Sequence, residues 1–396
     1  MDSITIQAHE GCTHEGLIFD LDSLYAHFER VVDPRKPKGI RYRLATLLVL
    51  ILLAKLGGQD RPTGIAEWLQ HREAGLVAML KLPRKRVPHH CTYRRVLCDL
   101  EPEWFEQVVG QYQRSRQPGE GEIVISIDGK TLRGTLVKRE GRAIHLLAAY
   151  LPGSGLVLMQ MAVDRKENEI VAAPKLLQSL DLNGVIVIGD AMHTQRKISA
   201  QIVQAGGDYL WTAKGNQAKT QWAIEKFFVQ AVVNQKKGAP LPQEFQMAAE
   251  KTSKAHGRIE KRTILVSQAL NDYLDWPDVA QVFRLEREVW HEQGQRKTRD
   301  VVYGLTSLSS QRASPKRLLK LTRDYWGIEN GLHYRRDVTL QEDATRATAG
   351  NLAHNLAILN NLVIALTLSN GYKYLPRARR LFDAKPELAL ELVLRA

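Results

Sequence analysis

Two short apolar runs in the middle of the chain each end in an aspartate. The first run, residues 123–127, is rich in β-branched side chains, as expected of a buried central strand, and it leads into Asp128. The second run, residues 185–188, leads through Gly189 into Asp190. A carboxylate at the end of a buried strand is costly unless it is paired or binds a cation. The pattern therefore predicts two strands whose ends bring two carboxylates together.

The pattern around these two runs predicts a mixed α/β sheet. Residues 145–150 and 156–163 flank a glycine-containing turn, which indicates an antiparallel hairpin after the first strand. An amphipathic helix over 168–180 then returns the chain to a strand parallel to the first. A helix over 195–205 and a short strand over 209–212 follow. Together these elements predict a mixed five-stranded sheet with helices.

The remaining segments predict the domain organisation. Residues 1–110 are expected to form an N-terminal helical domain, and 120–217 hold the predicted sheet. Residues 218–315 are mostly β after an opening helix, and a segment of this length is too long for a loop, so we expect a β-rich insertion there. Residues 316–370 are predicted to be helical and to complete the core. A basic tail follows over 371–396.

The charge distribution adds a partner to this picture. The apolar fraction of 44% and the charged fraction of 25% are ordinary, but 56 Lys and Arg against 43 Asp and Glu give a net charge of +13. Residues 1–29 hold six acids and no Lys or Arg, whereas 30–100 hold 15 basic and 5 acidic residues. This excess indicates a polyanionic partner, most simply nucleic acid bound by the helical region. The alternatives are a basic surface kept for solubility and a helical cap that only packs on the sheet.

Cysteines and apolar segments favour a cytosolic protein. Three scattered cysteines are too few for a disulfide framework or a zinc site. The first residues lack the basic and apolar regions of a signal peptide. Residues 44–54 are strongly apolar but short and are followed by Lys55, which predicts a buried helix. We therefore expect no membrane partner.

The two aspartates suit metal-ion chemistry. Two magnesium ions a few ångströms apart activate an attacking oxygen and stabilise the leaving oxygen in phosphoryl transfer. Hard carboxylate ligands favour Mg²⁺ or Mn²⁺, and we recognise no His/Cys cluster that competes for them. This interpretation predicts a third carboxylate from elsewhere in the chain. The alternative is a pair of strand-end acids that only cap turns.

With these aspartates, Glu329 in a late helix resembles the acidic triad of the DDE transposases of bacterial insertion sequences. The subgroup that includes the H-repeat-associated proteins is most similar, and the resemblance runs from about residue 20 to 370. The motifs that carry it, in order, are Ile127-Asp128-Gly129-Lys130, Gly189-Asp190-Ala191-Met192-His193-Thr194-Gln195, Lys214-Gly215-Asn216-Gln217, His256-Gly257-Arg258-Ile259-Glu260, Trp326-Gly327-Ile328-Glu329-Asn330, Leu332-His333, Asp337, Glu342-Asp343 and Arg346. That family has a β-rich insertion between its second and third acids, and 139 positions separate Asp190 from Glu329 here.

The resemblance implies a fold and a reaction. The fold is a ribonuclease H-like catalytic core, and the reaction is DNA cleavage at transposon ends followed by strand transfer into target DNA. Asp128, Asp190 and Glu329 would be the catalytic residues and the ligands of two divalent ions, Mg²⁺ or Mn²⁺. Activated water would attack a phosphodiester, and the freed 3′ hydroxyl would then attack the target, with catalysis from in-line positioning and charge neutralisation. The family implies double-stranded DNA as partner, a homo-oligomer on DNA, and a place in the bacterial cytosol or nucleoid.

Several residues near the motifs are candidates for binding DNA. The candidates are Lys130, Arg133, His193, Lys214, Arg258, Arg323, Trp326 and Arg336. For the cations, the alternative is an ordinary solvated side chain. His193 would otherwise satisfy a turn, and Trp326, one turn before Glu329, would either stack on a flipped base or lie in the core. The alternatives to Glu329 itself are Asp337, Glu342 and Asp343.

In one respect the sequence departs from the family pattern. Related transposases have a tyrosine and an arginine before the glutamate and a lysine seven residues after it. Here Thr322 occupies the tyrosine position, Tyr325 lies four residues before Glu329, and Arg336 occupies the lysine position. Arg336 can still contact a phosphate bidentately, and Arg323 is expected to supply the missing guanidinium.

Two other functions fit the same residues. One is a catalytically silent DNA-binding protein derived from a transposase, which the three intact acids argue against. The other is a nuclease of the same fold that cuts without strand transfer. Joining of a pre-cut end to a target would distinguish a transposase from that nuclease.

Overall fold

A computed structural model describes most of the chain, and the elements below are those of the described residues. These residues are 9–117, 121–136, 143–152, 154–164, 166–236, 240–250, 252–255, 258–291 and 297–395. The helices are α1 (Leu24–Glu29), α2 (Leu44–Leu56), α3 (Pro62–His71), α4 (Glu73–Leu80), α5 (His90–Asp99), α6 (Pro102–Ser115), α7 (Glu169–Gln178), α8 (Arg196–Gln204), α9 (Ala218–Lys236), α10 (Pro315–Ile328), α11 (Leu352–Ser369), α12 (Leu375–Ala384) and α13 (Pro386–Leu394). The strands are β1 (Glu10–Cys12), β2 (Ile18–Asp20), β3 (Val124–Leu132), β4 (Ile144–Tyr150), β5 (Val157–Ala162), β6 (Ile186–Gly189), β7 (Asp208–Ala213), β8 (Phe245–Ala249), β9 (Ser253–Ala255), β10 (Arg258–Ser267), β11 (Gln281–His291) and β12 (Lys297–Thr306).

The chain divides into two compact units. The first unit consists of Met1–Gly119, Gly129–Arg165 and Glu329–Ala396. The second unit consists of Glu120–Asp128 and Lys166–Ile328. The chain therefore leaves the second unit twice, once inside β3 and once directly after α10.

The second unit is built on a mixed sheet. Its strand order is β3-β6-β7-β12-β11-β10-β8, with β9 beside β10. Strands β3, β6 and β7 run parallel, which agrees with their nearly continuous apolar sequences. Helix α10 covers this sheet, because its Leu318 and Leu321 share one apolar cluster with Ile186, Ile188 and Phe283.

The residues predicted as a β-rich insertion continue this sheet. Strand β12 pairs antiparallel with β7, with Tyr303 opposite Ala213. Long antiparallel strands β11 and β10 follow, and β8 pairs with β10. The described strands β8 to β12 therefore share one sheet and one compact unit with β6 and β7. The predicted mixed α/β class, with a large mixed sheet and many helices, is confirmed.

The first unit combines helices with the antiparallel hairpin of β4 and β5. All thirteen side chains of α2 are buried, as its apolar sequence predicts. Helix α11 is the one described helix with the length and composition to cross a membrane, and 89% of it is buried inside the protein, as in a core helix. Its Asn355 side chain donates to the carbonyl oxygens of Leu97 and Leu100, both at 2.9 Å, so this buried amide helps to dock α11 on α5.

Candidate active site

Asp128 and Asp190 lie at matching positions on two neighbouring strands of the second unit. In the parallel pair β3 and β6, Ile127 is opposite Gly189, and each aspartate comes next in its own strand direction. Both carboxyl groups belong to partly exposed residues, although the strands before them are buried. The sheet register therefore brings the two carboxylates side by side, as the sequence predicts. The predicted strand ends are confirmed only for Asp190, because β3 continues past Asp128 to Leu132.

Gly189 is required by the close packing before Asp190. A Cβ atom at this position would lie 2.9 Å from the Trp211 ring, 3.1 Å from the Ile127 side chain and 3.3 Å from His193 Cβ. Contacts this short force neighbours to move. The residue before Asp190 must therefore be glycine, because the side chains packed against β6 at this position leave no room for a Cβ atom.

The Asp190 side chain also caps the turn that follows it. Its Oδ1 accepts a hydrogen bond of 2.8 Å from the Met192 backbone N–H, which begins the short helical turn Ala191–His193. The turn-capping alternative is therefore part of the structure. It does not exclude a cation, because an ionised carboxylate has about four acceptor positions.

His193 is enclosed beneath this turn. It has no exposed surface, and its Nε2 lies 3.2 Å from Glu169 Oε2 of α7. A DNA strand does not reach a side chain in that position. The structure therefore buries the His193 ring beside Glu169 and not on a surface that contacts DNA.

The Lys214-Gly215-Asn216-Gln217 motif braces the same turn. The Asn216 amide donates a hydrogen bond of 2.5 Å to the Ala191 carbonyl oxygen, and the Thr194 hydroxyl donates one of 2.6 Å to the Thr212 carbonyl oxygen. Lys214 is exposed beside these contacts. The Lys214–Gln217 motif therefore stabilises the backbone turn that follows Asp190, while its own Lys214 side chain remains exposed to solvent.

In the first unit, Lys130 is already paired with carboxylates. Only 7% of Lys130 is exposed, and its Nζ contacts Asp337 Oδ1 and lies 3.7 Å from Asp343 Oδ1. Asp343 also accepts a hydrogen bond of 3.1 Å from the Arg133 backbone N–H, while the Arg133 side chain is 83% exposed. Lys130 therefore ties β3 to the segment that holds Asp337 and Asp343, whereas Arg133 faces solvent.

Arg336 is fully buried and occupied by Glu342. Its Nε donates to both carboxylate oxygens of Glu342, at 2.9 and 3.1 Å, and its Nη1 donates to Gln160 Oε1 at 2.9 Å. Burial alone would raise the pKa of Glu342, but the charge of Arg336 and hydrogen bonds from Arg336 and Asn360 outweigh it and lower that pKa. The phosphate contact predicted for Arg336 does not agree with this position, because a side chain with no exposed surface cannot reach DNA.

Glu329 differs from the acids that compete with it for the third ligand position. Asp337 and Asp343 are paired with Lys130, and Glu342 is paired with Arg336. Glu329 is exposed, and among the described residues it forms no ion pair. It follows the last residue of α10 and begins the π-helical turn Glu329–His333, and such turns are frequent at functional sites.

The other candidates for DNA contact lie in the second unit. Trp326 is 52% exposed, so it is a surface residue and not a core tryptophan. Arg323 is exposed and lies 3.3 Å from Glu250 Oε2. Arg258 begins β10, opposite His291 of β11, whereas His256 and Gly257 of the same motif lie outside the described residues.

The sequence did not predict one cluster of possible metal ligands. His89, His90 and Cys91 are consecutive, and their possible ligand atoms all lie within 4.8 Å of one another. Their adjacency was the available signal, but the spacing is shorter than that of ordinary zinc motifs. The chemistry of the carboxylate edge is different, because its hard oxygen donors fit Mg²⁺ or Mn²⁺.

Sequence comparison gives the class of the protein. A family model described as "Transposase DDE domain" matches residues 119–367, and one described as "DDE_Tnp_1-associated" matches residues 25–113. The first match covers more than half of the chain. The chain therefore belongs to the DDE transposase family, as the resemblance of its motifs implies.

Individual relatives define the subgroup. The chain is 29% identical over 373 residues to "H repeat-associated putative transposase YhhI" of Escherichia coli (strain K12), covering 91% of this chain and 94% of that protein. It is 31% identical over 364 residues to "Putative transposase YncI" of Escherichia coli O157:H7, covering 87% of each. The first of these names agrees with the H-repeat-associated subgroup that the motifs resemble. Among solved structures, a piggyBac transposase synaptic complex with hairpin DNA aligns with a TM-score of 0.45 and 10% identity over 93% of this chain and 77% of that one, a similarity too small to identify a fold.

Proposed function

We propose that this protein is a metal-dependent DNA transposase that hydrolyses phosphodiester bonds at the ends of its element and transfers the freed strands into target DNA. The observation that carries the proposal is the register of β3 and β6, which sets Asp128 and Asp190 side by side in a chain of the DDE transposase family. The homologues are named as transposases, and the +13 net charge suits a DNA partner.

Asp128, Asp190 and Glu329 are the proposed ligands of two divalent ions, Mg²⁺ or Mn²⁺. Asp190 is positioned by its hydrogen bond from Met192 and by the Asn216 brace beneath its turn. Glu329 is favoured as the third acid because its competitors are neutralised by Lys130 and Arg336. When bound, the ions supply charge neutralisation at the phosphodiester and favour ionisation of the attacking oxygen.

The protein's own residues would position the DNA for in-line attack. Exposed Lys214, beside the Asp190 turn, and exposed Arg133 are the proposed phosphate contacts. Trp326, exposed one turn before Glu329, offers a ring on which an unpaired base can stack. Arg323 and Arg258 remain proposed contacts. With the metals activating the oxygen, no covalent enzyme intermediate is needed.

The proposed catalytic core is ribonuclease H-like. Its support is the chain order, in which β3 is followed by the antiparallel hairpin β4–β5 and then by β6 and β7, both parallel in the sheet with β3. We further propose that the protein acts as a homo-oligomer on paired DNA ends in the bacterial cytosol or nucleoid. We also propose that strands β8 to β12, which lie between Asp190 and Glu329 in the chain and continue the sheet of β6 and β7, correspond to the β-rich insertion of this family.

The test is strand transfer by Asp190→Asn compared with the wild type. The substrate is a labelled duplex carrying an end sequence taken from the DNA that flanks the gene, supplied with target plasmid and Mg²⁺ or Mn²⁺. We expect joined product from the wild type and a loss of at least about a hundredfold in Asp190→Asn, because one of the three proposed carboxylate ligands of the charge-neutralising ions would lose its charge. Asp272→Asn is the matched control, since it removes one exposed carboxylate from the same unit and should join normally.

Each other outcome of this experiment would indicate a different function or a different active site. Cleavage without joining would identify a nuclease of the same fold. Binding of the end duplex without cleavage or joining in wild type would identify a catalytically silent DNA-binding protein. Equal activity of the wild type and Asp190→Asn would remove Asp190 from the active site.

A further inference from the structure

A cleft in the first unit collects arginines from separate parts of the chain. Its volume is about 580 Å³, and it lies between the loop that precedes α2, the helices α3 and α4, and the loop that precedes α5. The cationic and imidazole side chains that line it are Arg35, Arg41, Arg84, Arg86, His89 and His90. The lining contains one acid, Glu73. The cleft is therefore strongly basic.

Hydrogen bonds fix the loop that carries Arg35 and Tyr42, which is the first wall of the cleft. They also join it to the loop that carries Arg84 and Arg86, which is the second wall. Asp33 accepts from Arg35 Nε at 2.8 Å and Nη2 at 2.6 Å, and Arg35 Nη2 also donates to the Tyr42 carbonyl oxygen at 2.9 Å. The Tyr42 hydroxyl crosses to the other wall and donates to the Arg86 carbonyl oxygen at 3.0 Å. The two basic loops are therefore fixed relative to each other before any ligand arrives.

The acid in the cleft is used to shape it. Glu73 Oε2 accepts a hydrogen bond of 2.8 Å from the Val87 backbone N–H, which anchors the loop that carries Arg84 and Arg86. Glu73 forms no ion pair with any described residue. It therefore organises the second wall and leaves the nearby guanidinium groups without a bound carboxylate.

Three arginines of the cleft have no acidic partner among the described residues. Arg41, Arg84 and Arg86 are exposed, and none of them forms an ion pair there. Other arginines of the same unit do have carboxylate partners; examples are Arg72 with Asp383, Arg336 with Glu342 and Arg379 with Asp60. Cations gathered without counter-charges repel one another, so their concentration here is explained by an anion that binds them.

We propose that this cleft binds the sugar–phosphate backbone of duplex DNA. The inference rests on the proposed function and adds the surface that would hold the DNA during end cleavage. Guanidinium groups bind phosphate oxygens bidentately, and four of them line this cleft. Contacts of this kind position a protein on DNA without reading its sequence.

The test measures the affinity of the full-length protein for a fluorescein-labelled 30-base-pair duplex by fluorescence anisotropy over a range of salt. The duplexes are an end sequence from the flanking DNA and a scrambled sequence of the same length. We expect Arg84→Ser/Arg86→Ser to weaken binding at least about tenfold on both duplexes and to reduce the slope of log K against log salt by about 1.8, which is 0.9 for each lost phosphate contact. Lys373→Ser/Arg377→Ser removes the same charge from an exposed part of the same unit outside the cleft and should change affinity less than about twofold.

Equal losses in the two double variants would overturn the proposal, because they would show a diffuse charge effect. An unchanged affinity in the Arg84/Arg86 variant would overturn it as well. Arg84→Lys/Arg86→Lys should keep the salt slope and lose only part of the affinity, which excludes a folding defect as the cause. If the wild type binds neither duplex, the proposed function fails; if Asp190→Asn binds DNA normally while the cleft variant behaves like the wild type, the cleft inference alone fails.

Discussion

The carboxylates of Asp190 and Glu342 show two ways in which this protein uses an acid. Glu342 is buried, and Arg336, with Asn360, satisfies its oxygens. Asp190 is partly exposed, spends one oxygen on the Met192 N–H, and forms no ion pair with a described cation. A buried acid must be paired with a cation or keep its proton, whereas an acid that binds a metal must keep acceptor positions for the ion. Neutralisation thus separates the structural acids from the candidates for catalysis.

The largest effect should come from removing the cation of the buried pair. Arg336→Met leaves Glu342 buried without its partner, and breaking such a pair costs about 3–5 kcal/mol of the free energy of unfolding. Urea denaturation measures this loss. Arg133→Met, at an 83% exposed site, should cost less than about 0.5 kcal/mol, and Arg336→Met/Glu342→Gln should recover part of the stability.

The same variant also tests the role first assigned to Arg336 by analogy with the family. If Arg336 were a phosphate ligand, Arg336→Met would weaken DNA binding and leave the free energy of unfolding unchanged. A stability loss comparable with that of Arg133→Met would contradict the structural role. Glu342 could then not serve as the example of a buried structural acid with which Asp190 is compared.

A second buried acid, Glu106, sharpens the comparison through pH. Burial raises the pKa of Glu106 from 4.5 to about 8, against smaller opposing effects of a backbone hydrogen bond and of Arg336. Between these two values the unfolded chain has lost the proton and the folded protein keeps it, so the free energy of unfolding falls as pH rises, by at most about 1.4 kcal/mol per pH unit. Below pH 4.5 both states are protonated and this stabilisation is complete.

Glu106→Gln should therefore remove much of the decline in stability between pH 5 and pH 8. Urea denaturation at four pH values across that range measures it. Glu67→Gln, at an exposed position of α3, is the control and should decline with the wild type. If Glu106→Gln loses stability in parallel with the wild type, Glu106 is not protonated in the folded state.

The two aspartates beside the buried strands could be predicted from sequence because their signal is local. A β-branched run is buried, so an acid that follows it is expected where the strand ends. This holds for Asp190, whereas β3 continues past Asp128 to Leu132, and only the pairing of β3 with β6 sets the two acids side by side. The burial of Lys130 and Arg336 could not be predicted in this way. The partners of Lys130 are more than 200 positions away in the chain. The partner of Arg336, Glu342, follows it by six positions, outside the π-helical turn Arg335–Thr339. Lysine and arginine are usually exposed, and only the fold shows the exceptions.

Local fold predictions divided in the same manner. Helix α2 and strands β3 and β6 follow from long or strongly apolar sequence patterns, and they were found. The small hairpin of β1 and β2 was missed, because each strand has three residues and the whole of residues 1–110 was expected to be helical.

The smallest expected loss of stability comes from disturbing the packing around Gly189, the residue before Asp190. Gly189→Ala would place a Cβ against the Trp211 ring and Ile127, which should cost about 1–3 kcal/mol of stability through overpacking. Because Asp190 is the next residue, the shift needed to relieve that contact should also lower strand transfer. Gly75→Ala in α4 is the control, since a Cβ there meets no atom within 4 Å and the residue belongs to none of the proposed catalytic or DNA-binding motifs. Thermal denaturation and strand-transfer assays on both variants measure the difference; equal behaviour of the two alanine variants would show that the packing below Asp190 does not position it.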